Sequence, residues 1–416
     1  MLHLGDITKI SGHEAPIIDC IIGGSPCQDL SVAGKRAGLD GERSGLFMEQ
    51  LRIVKEMREH DRQNGRTDEH IRPRYMVWEN VPGAFSSNKG EDFRVVLEEI
   101  AKIKDENAII PMPKKRKWTT SGCIVGDGWS IAWRVLDAQF WGVPQRRRRI
   151  ALVADFTGES AGEILFVRKS LSRDIEQSES QRENSSTNTS TGIRADDNKT
   201  TAYTLKIRSG CEGGGKGALV QVDKSATLST LQDQTLFQPA VCYGINGEVA
   251  GTLDSSYYKS CGMRQGVERE VVFNNYIVRR LTPLECERLQ GYPDGWTDIG
   301  EWTDSKGKIR KTSDAARYKA LGNSIALPPW KWVLKRICAC YERDATCGSL
   351  FDGIGGFPLI WEQLNGKGSC LWASEIEEFP IAVTKKRIGG DSNGGENILL
   401  AKTKKRFFQK ARYSHH

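Results

Sequence analysis

The chain has no long apolar run. Nothing in its 416 residues approaches the roughly 18 consecutive apolar residues a bilayer span needs, so no membrane-spanning helix is expected. Its opening residues, MLHLGDITKI, lack the basic and apolar regions of a secretory signal, which points to the cytosol. The 11 cysteines contain no CxxC pair. Cys338, Cys340 and Cys347 lie close in sequence, but no His or Cys cluster completes a zinc site, so buried thiols are expected. A formal charge of +7 permits an anionic partner without requiring one. With 38% hydrophobic and 27% charged residues, a packed protein of two domains fits the length.

Three textures follow one another. Through residue 155, IIDCII (17–22), RYMVW (74–78) and RIALVAD (149–155) read as buried strands of a parallel sheet. Phe47, Leu51, Val54 and Met57 recur at steps of four and three, which predicts a helix with one apolar face. Residues 170–200 are polar and rich in Ser, Thr and Asn, as a linker would be. Short strand-like pieces separated by glycines fill 202–275, where AYTL (202–205), ATL (226–228) and AGTL (250–253) hint at a weak repeat. From 279 the α/β texture returns. Thr282-Pro283-Leu284-Glu285 is a capping box that starts a helix, and SCLWASE (369–375) reads as a strand.

Residues suited to chemistry gather where strands end. GGSPCQDLS (23–31) puts Cys27 just past IIDCII, at the carboxyl edge of the sheet where α/β sites lie. A cysteine there is more often a packed thiol, so this position alone decides nothing. Gly34, Gly38 and Gly41 among Lys35, Arg36 and Arg43 suit a basic loop able to close over an anionic polymer. Glu79, in WENVPGAF, ends the next strand. It is either an unpaired carboxylate of raised proton affinity or half of an ion pair with an arginine. GVPQRRRRI (142–150) supplies such arginines; along a strand Arg147 and Arg149 face one way, Arg146 and Arg148 the other. LFDGIGGFPLIWEQL (350–364) is a strand, a glycine turn and a helix, a form that brings backbone N–H groups to an anionic ligand group. Glu375 ends the following strand, where an acid commonly grips ribose hydroxyls. The turn lacks GxGxxG spacing, which disfavours a nicotinamide cofactor.

Together GGSPCQDLS, WENV, GVPQRRRRI, ALGNSIALPP (320–329) and LFDGIGG closely resemble the motif set of DNA cytosine-C5 methyltransferases. The resemblance covers about 1–155 and 276–388, and it implies a Rossmann-like α/β sheet with a smaller, irregular target-recognition domain. The parts become 1–155 with the nucleophile, ENV and QRRRR motifs, 156–275 for target recognition, 276–345 with the GNS motif, 346–390 for the donor and a basic tail, 391–416. By resemblance Cys27 attacks cytosine C6, Glu79 holds the base near N3, Arg147 and Arg149 match the two functional arginines, and Arg149 supports Glu79. S-adenosylmethionine is the implied donor, with Phe351, Gly353, Gly355 and Gly356 at its methionine end. Glu375 would bind its ribose and Asp6 its adenine, while Asn323 and Ser324 close the pocket.

The implied substrate is duplex DNA with the target cytosine flipped out, in a bacterial or phage setting. A monomer is expected, and a restriction partner stays open. RNA cytosine methylation and a catalytically silent DNA-binding remnant are the alternatives. Adenine or cytosine-amino methylation is disfavoured, because those enzymes carry Pro-Pro-aromatic where this chain has Pro26-Cys27. The motif order is circularly permuted: the glycine turn, normally first, follows the GNS motif through the short join YERDATC (341–347). Permutation is tolerated where termini are close and exposed, so 1–10 and 376–388 should lie side by side. Ile376 stands where the family often has an aromatic residue against adenine.

Overall fold

A computed structural model describes residues 1–25, 45–166, 201–209, 216–230, 234–239, 271–273 and 276–389. Cys27, the basic loop after it, the polar linker, AGTL (250–253) and the basic tail lie outside them.

Eight strands form the main sheet: β1 (Leu2–His3), β2 (Cys20–Gly23), β3 (Tyr75–Asn80), β4 (Ser121–Gly126), β5 (Trp129–Asp137), β6 (Arg148–Asp155), β14 (Cys347–Leu350) and β15 (Cys370–Ser374). Their spatial order is β1-β15-β14-β2-β3-β6-β5-β4. Strands from residues 2–3 and from 347–374 therefore enter one sheet. Leu2 and His3 pair in parallel with Trp372 and Ala373, and β14 lies between β15 and β2. Thr384 Oγ1 also lies 3.3 Å from His3 Nε2, so residues 1–10 do meet the helix Glu378–Arg387.

The sequence reading needs one correction here. β1, β15, β14, β2 and β3 run parallel, but β6 is antiparallel to β3, and β5 and β4 continue antiparallel. A continuous apolar run reports burial on both faces, not strand direction. β6 is entered from the β4–β5 hairpin, which reverses the chain. That hairpin went unread although its signal is present: Asp127-Gly128 between Gly126 and Trp129, with Gly128 at φ +69°.

Both faces of the sheet are covered. Ile21, Met76 and Trp78 pack with Phe47, Leu51, Val54 and Met57 of the helix Gly45–Gln63. Cys20, Ile22, Tyr75 and Val77 face the opposite core, which includes the helices Leu327–Cys338 and Gly356–Asn365. The expected capping box is formed at the helix Pro283–Gln290, with Thr282 and Glu285 bonding reciprocally.

A second, antiparallel sheet contains β7 (Tyr203–Ser209), β8 (Lys216–Val222), β9 (Gln234–Pro239), β10 (Val271–Phe273) and β11 (Tyr276–Arg280), in the order β10-β11-β9-β7-β8. AYTL leads into β7 whereas ATL lies in an irregular stretch, so these two copies are not structurally equivalent. That stretch docks on the first sheet's motif segment: Ser225 N–H donates to the Pro144 carbonyl at 2.7 Å, and Arg146 N–H to the Ser225 carbonyl at 2.9 Å. A small hairpin, β12 (Glu301–Thr303) with β13 (Ile309–Lys311), completes the strands among the described residues. No helix among the described residues is long and apolar enough to cross a membrane.

Candidate active site

Because β2, β3, β14 and β15 are parallel, their carboxyl ends share one edge of the sheet. There Trp78 Nε1 donates to Ser25 Oγ at 3.0 Å, and Asn80 Nδ2 to the Ser25 carbonyl at 3.1 Å. A Cβ on Gly24 would lie 2.7 Å from Glu79 Oε2, so a side chain there would have to displace the Glu79 carboxylate. These contacts hold the last described residues before Pro26-Cys27.

Glu79 is paired, not alone. Its Oε1 accepts from Arg149 Nε at 2.7 Å, and both side chains are largely buried. The register explains the meeting: Glu79 lies opposite Ala151, which makes Arg149 its diagonal neighbour. The expected alternation also holds. Arg147 is buried, Arg149 half-buried, and Arg146 and Arg148 are exposed.

Arg147 reaches across to the GNS motif. Its Nη2 donates to the Gly322 carbonyl at 3.1 Å and to the Ser324 carbonyl. Burial, with the nearby Arg149, pulls its pKa well below the usual guanidinium value. Nε and Nη1 are buried with no hydrogen-bond partner among the described residues. Ser324 is buried and its Oγ lies 2.5 Å from Tyr292 Oη, whereas Asn323 is exposed. Tyr292 was missed in the sequence. A Cβ on Gly356 would lie 2.5 Å from its hydroxyl, so it joins the GNS segment to the glycine turn. The available signal was Gly291, whose φ of +79° ends the preceding helix and turns the chain back.

The turn holds three residues at positive φ: Phe351 (+54°), Gly353 (+56°) and Gly355 (+78°). Phe351 adopts this conformation despite its Cβ, a strain of the kind found at binding sites. Glu375 braces the turn. Its Oε2 accepts from Gly353 N–H at 2.7 Å, and Oε1 from Ile376 N–H at 2.7 Å and Glu377 N–H at 2.9 Å. The N–H of Gly353, expected to face the ligand, is thus already engaged. A carboxylate has about four acceptor positions, so Glu375 keeps capacity for a further donor. Ser374 Oγ donates to the Gly5 carbonyl at 2.7 Å, which sets Asp6 and Glu375 one residue beyond either side of that bond. Asp6 Oδ1 accepts from Thr8 N–H and Oγ1, and these bonds lower its pKa. Ile376 stands 71% exposed.

The sequence matches the C-5 cytosine-specific DNA methylase family over residues 1–107 and 124–339. The chain belongs to this family. The family match ends before β14, as expected if the donor segment has been moved behind the rest. A protein of Escherichia phage P1 named DNA N-6-adenine-methyltransferase is 29% identical, over 83% of this chain and 56% of its own length. Type II methyltransferase M1.ScrFI of Lactococcus lactis subsp. cremoris is 26% identical, over 82% of this chain and 67% of its own. The chain thus spans between about half and two thirds of these relatives. The solved S. pombe Dnmt2 methyltransferase overlaps with a TM-score of 0.34 at 15% identity, covering 80% of this chain and 82% of that one. The family assignment does not rest on that loose overlap.

Proposed function

We propose that the chain methylates C5 of cytosine in duplex DNA. The observation that carries this reading is the Glu79–Arg149 pair, set against Gly24 and Ser25 at the entry to Pro26-Cys27. The Cys27 thiolate adds to C6 of a flipped cytosine, which makes C5 nucleophilic and divides one hard step into two. Glu79, oriented by Arg149, hydrogen-bonds or protonates N3 as the adduct forms. Once C5 is alkylated, water accepts its proton, the C–H electron pair re-forms the C5–C6 double bond, and the C6–S bond breaks to expel the thiolate.

S-adenosylmethionine fits the neighbouring turn: Glu375 has acceptor capacity for ribose, Ile376 offers an exposed apolar face, and the buried Asp352 Oδ2 has no partner among the described residues. When bound, it supplies the methyl group. The exposed Arg146 and Arg148 line a cleft of about 250 Å³ with Leu219, Gln221, Ala226 and Thr227. That cleft suits contact with the DNA backbone beside bases read from the second sheet. The adenine chemistry in the phage relative's name is not carried over. The chain spans 56% of that protein and has Pro26-Cys27 in its own motif.

The deciding experiment incubates the chain with donor and duplex DNA containing 5-fluorocytosine. A covalent complex stable to denaturation is expected, and none with Cys27→Ser. An adduct that persists in the serine variant removes Cys27 from the mechanism.

A further inference from the structure

Asp352 sits in the glycine turn between Phe351 and Gly353, and it is buried. Its Oδ1 accepts from Ser349 Oγ at 2.7 Å, while Oδ2 is buried with no hydrogen-bond partner among the described residues. The backbone is held on both sides: its N–H donates to the Ser374 carbonyl at 3.0 Å, and its carbonyl accepts from Gly355 N–H at 3.1 Å. Titratable groups face it from three elements: Glu375 after β15, Tyr292 after the helix Pro283–Gln290, and Cys347 on β14. None of these three brings positive charge. Burial, with Glu375 adding to it against the Ser349 bond, pushes the Asp352 pKa up to about 8. At neutral pH the free protein therefore holds this carboxyl protonated. A brace for the turn needs only the oxygen bonded to Ser349; the second oxygen has no such use.

We infer that Asp352 is the counter-charge for a cationic donor, its second carboxylate oxygen answering the positive charge at the methionine end. This rests on the donor site proposed above. As donor binds, the carboxyl O–H bond breaks, the proton passes to solvent and no electrons move. The complex then holds fewer protons than the free protein, so donor affinity rises with pH up to about 8 and levels off above it.

Titration calorimetry of S-adenosylmethionine into the full chain, at pH 7 in buffers of different ionisation enthalpy, counts the protons. Release approaching about one proton per donor is expected, with affinity climbing by up to about tenfold per pH unit below pH 8. Asp352→Asn should bind with no release and a flat pH profile. Ser349→Ala keeps the acid but removes the bond that holds its pKa down, so its profile should level off at higher pH. Equal release from Asp352→Asn overturns the inference. S-adenosylhomocysteine, which keeps the ammonium but not the sulfonium, assigns the charge: release with it marks the ammonium, release with the methyl donor alone the sulfonium. A wild-type chain that binds donor without release sinks this inference only. If it binds no donor at any pH, the site and the inference fall together.

Discussion

The hydroxyl of Ser374 donates to the Gly5 carbonyl at 2.7 Å, joining residues 369 positions apart. Beside that bond β1 and β15 pair in parallel, so residues 2–5 and 372–374 are neighbours at one edge of the sheet. The connection at the other end of the rearrangement is equally firm. Arg343 Nη2 lies 2.7 Å from Asp19 Oδ1, and Thr346 N–H donates to Asp19 Oδ2 at 2.8 Å, pinning the join to the start of β2.

Re-permuting the chain should consequently preserve its fold. A gene starting at residue 346, linked after 389 to residue 1 and ending at 345, should melt within about 2 °C of the parent, a shift of about 1–2 kcal/mol in a chain of this size. Thermal unfolding checks it. Failure to fold would show that the neighbouring ends are not a rearranged joint.

Arg149→Ala strips Glu79 of its partner and should lower single-turnover methylation about 10- to 100-fold, or roughly 1.4–2.8 kcal/mol. DNA affinity should change little, and Arg149→Lys should recover part of the rate. An unchanged rate would place the pair outside the chemistry.

Glu375→Ala releases the N–H groups of Gly353, Ile376 and Glu377 together. Donor affinity should fall by at least about tenfold, near 1.4 kcal/mol, as measured by calorimetry. Unaltered affinity would argue against a ribose contact at this carboxylate.

Asp352 should also leave a mark on stability without donor. An acid whose folded pKa of about 8 lies above its unfolded value holds more protons folded than unfolded between the two. Its contribution is thus lost as pH rises from about 4 towards 8. Asp352→Asn abolishes that dependence, so its melting temperature should gain on the wild type from pH 5 to pH 8. A constant difference across that range would contradict the raised pKa.

Much of the fold was legible locally. The four-three spacing of Phe47, Leu51, Val54 and Met57 and the Thr282–Glu285 capping box each encode a helix within a few residues, and both form where expected. Strand direction was not legible: RIALVAD is buried on both faces whichever way it runs, and only its pairing with β3 makes it antiparallel. At the site, alternation along QRRRR foretold that Arg147 and Arg149 face opposite to Arg146 and Arg148, and the structure turns the first pair inward. The partner of Arg147 could not be read, because the Gly322 and Ser324 carbonyls lie more than 170 residues away. Tyr292 escaped notice for the same reason.

By itself the sequence determined the chemistry on offer: a thiol after Pro26, a carboxylate in ENV, arginines in alternation and a glycine turn, all set by residue type and short spacing. Only the tertiary structure decided their company. It paired Glu79 with Arg149, turned Glu375 onto Gly353 and buried Asp352 with one oxygen unanswered by any described residue. Those outcomes depend on which strands lie side by side. Pairing is settled by cores packed on both faces of the sheet, where burial acts between residues hundreds of positions apart.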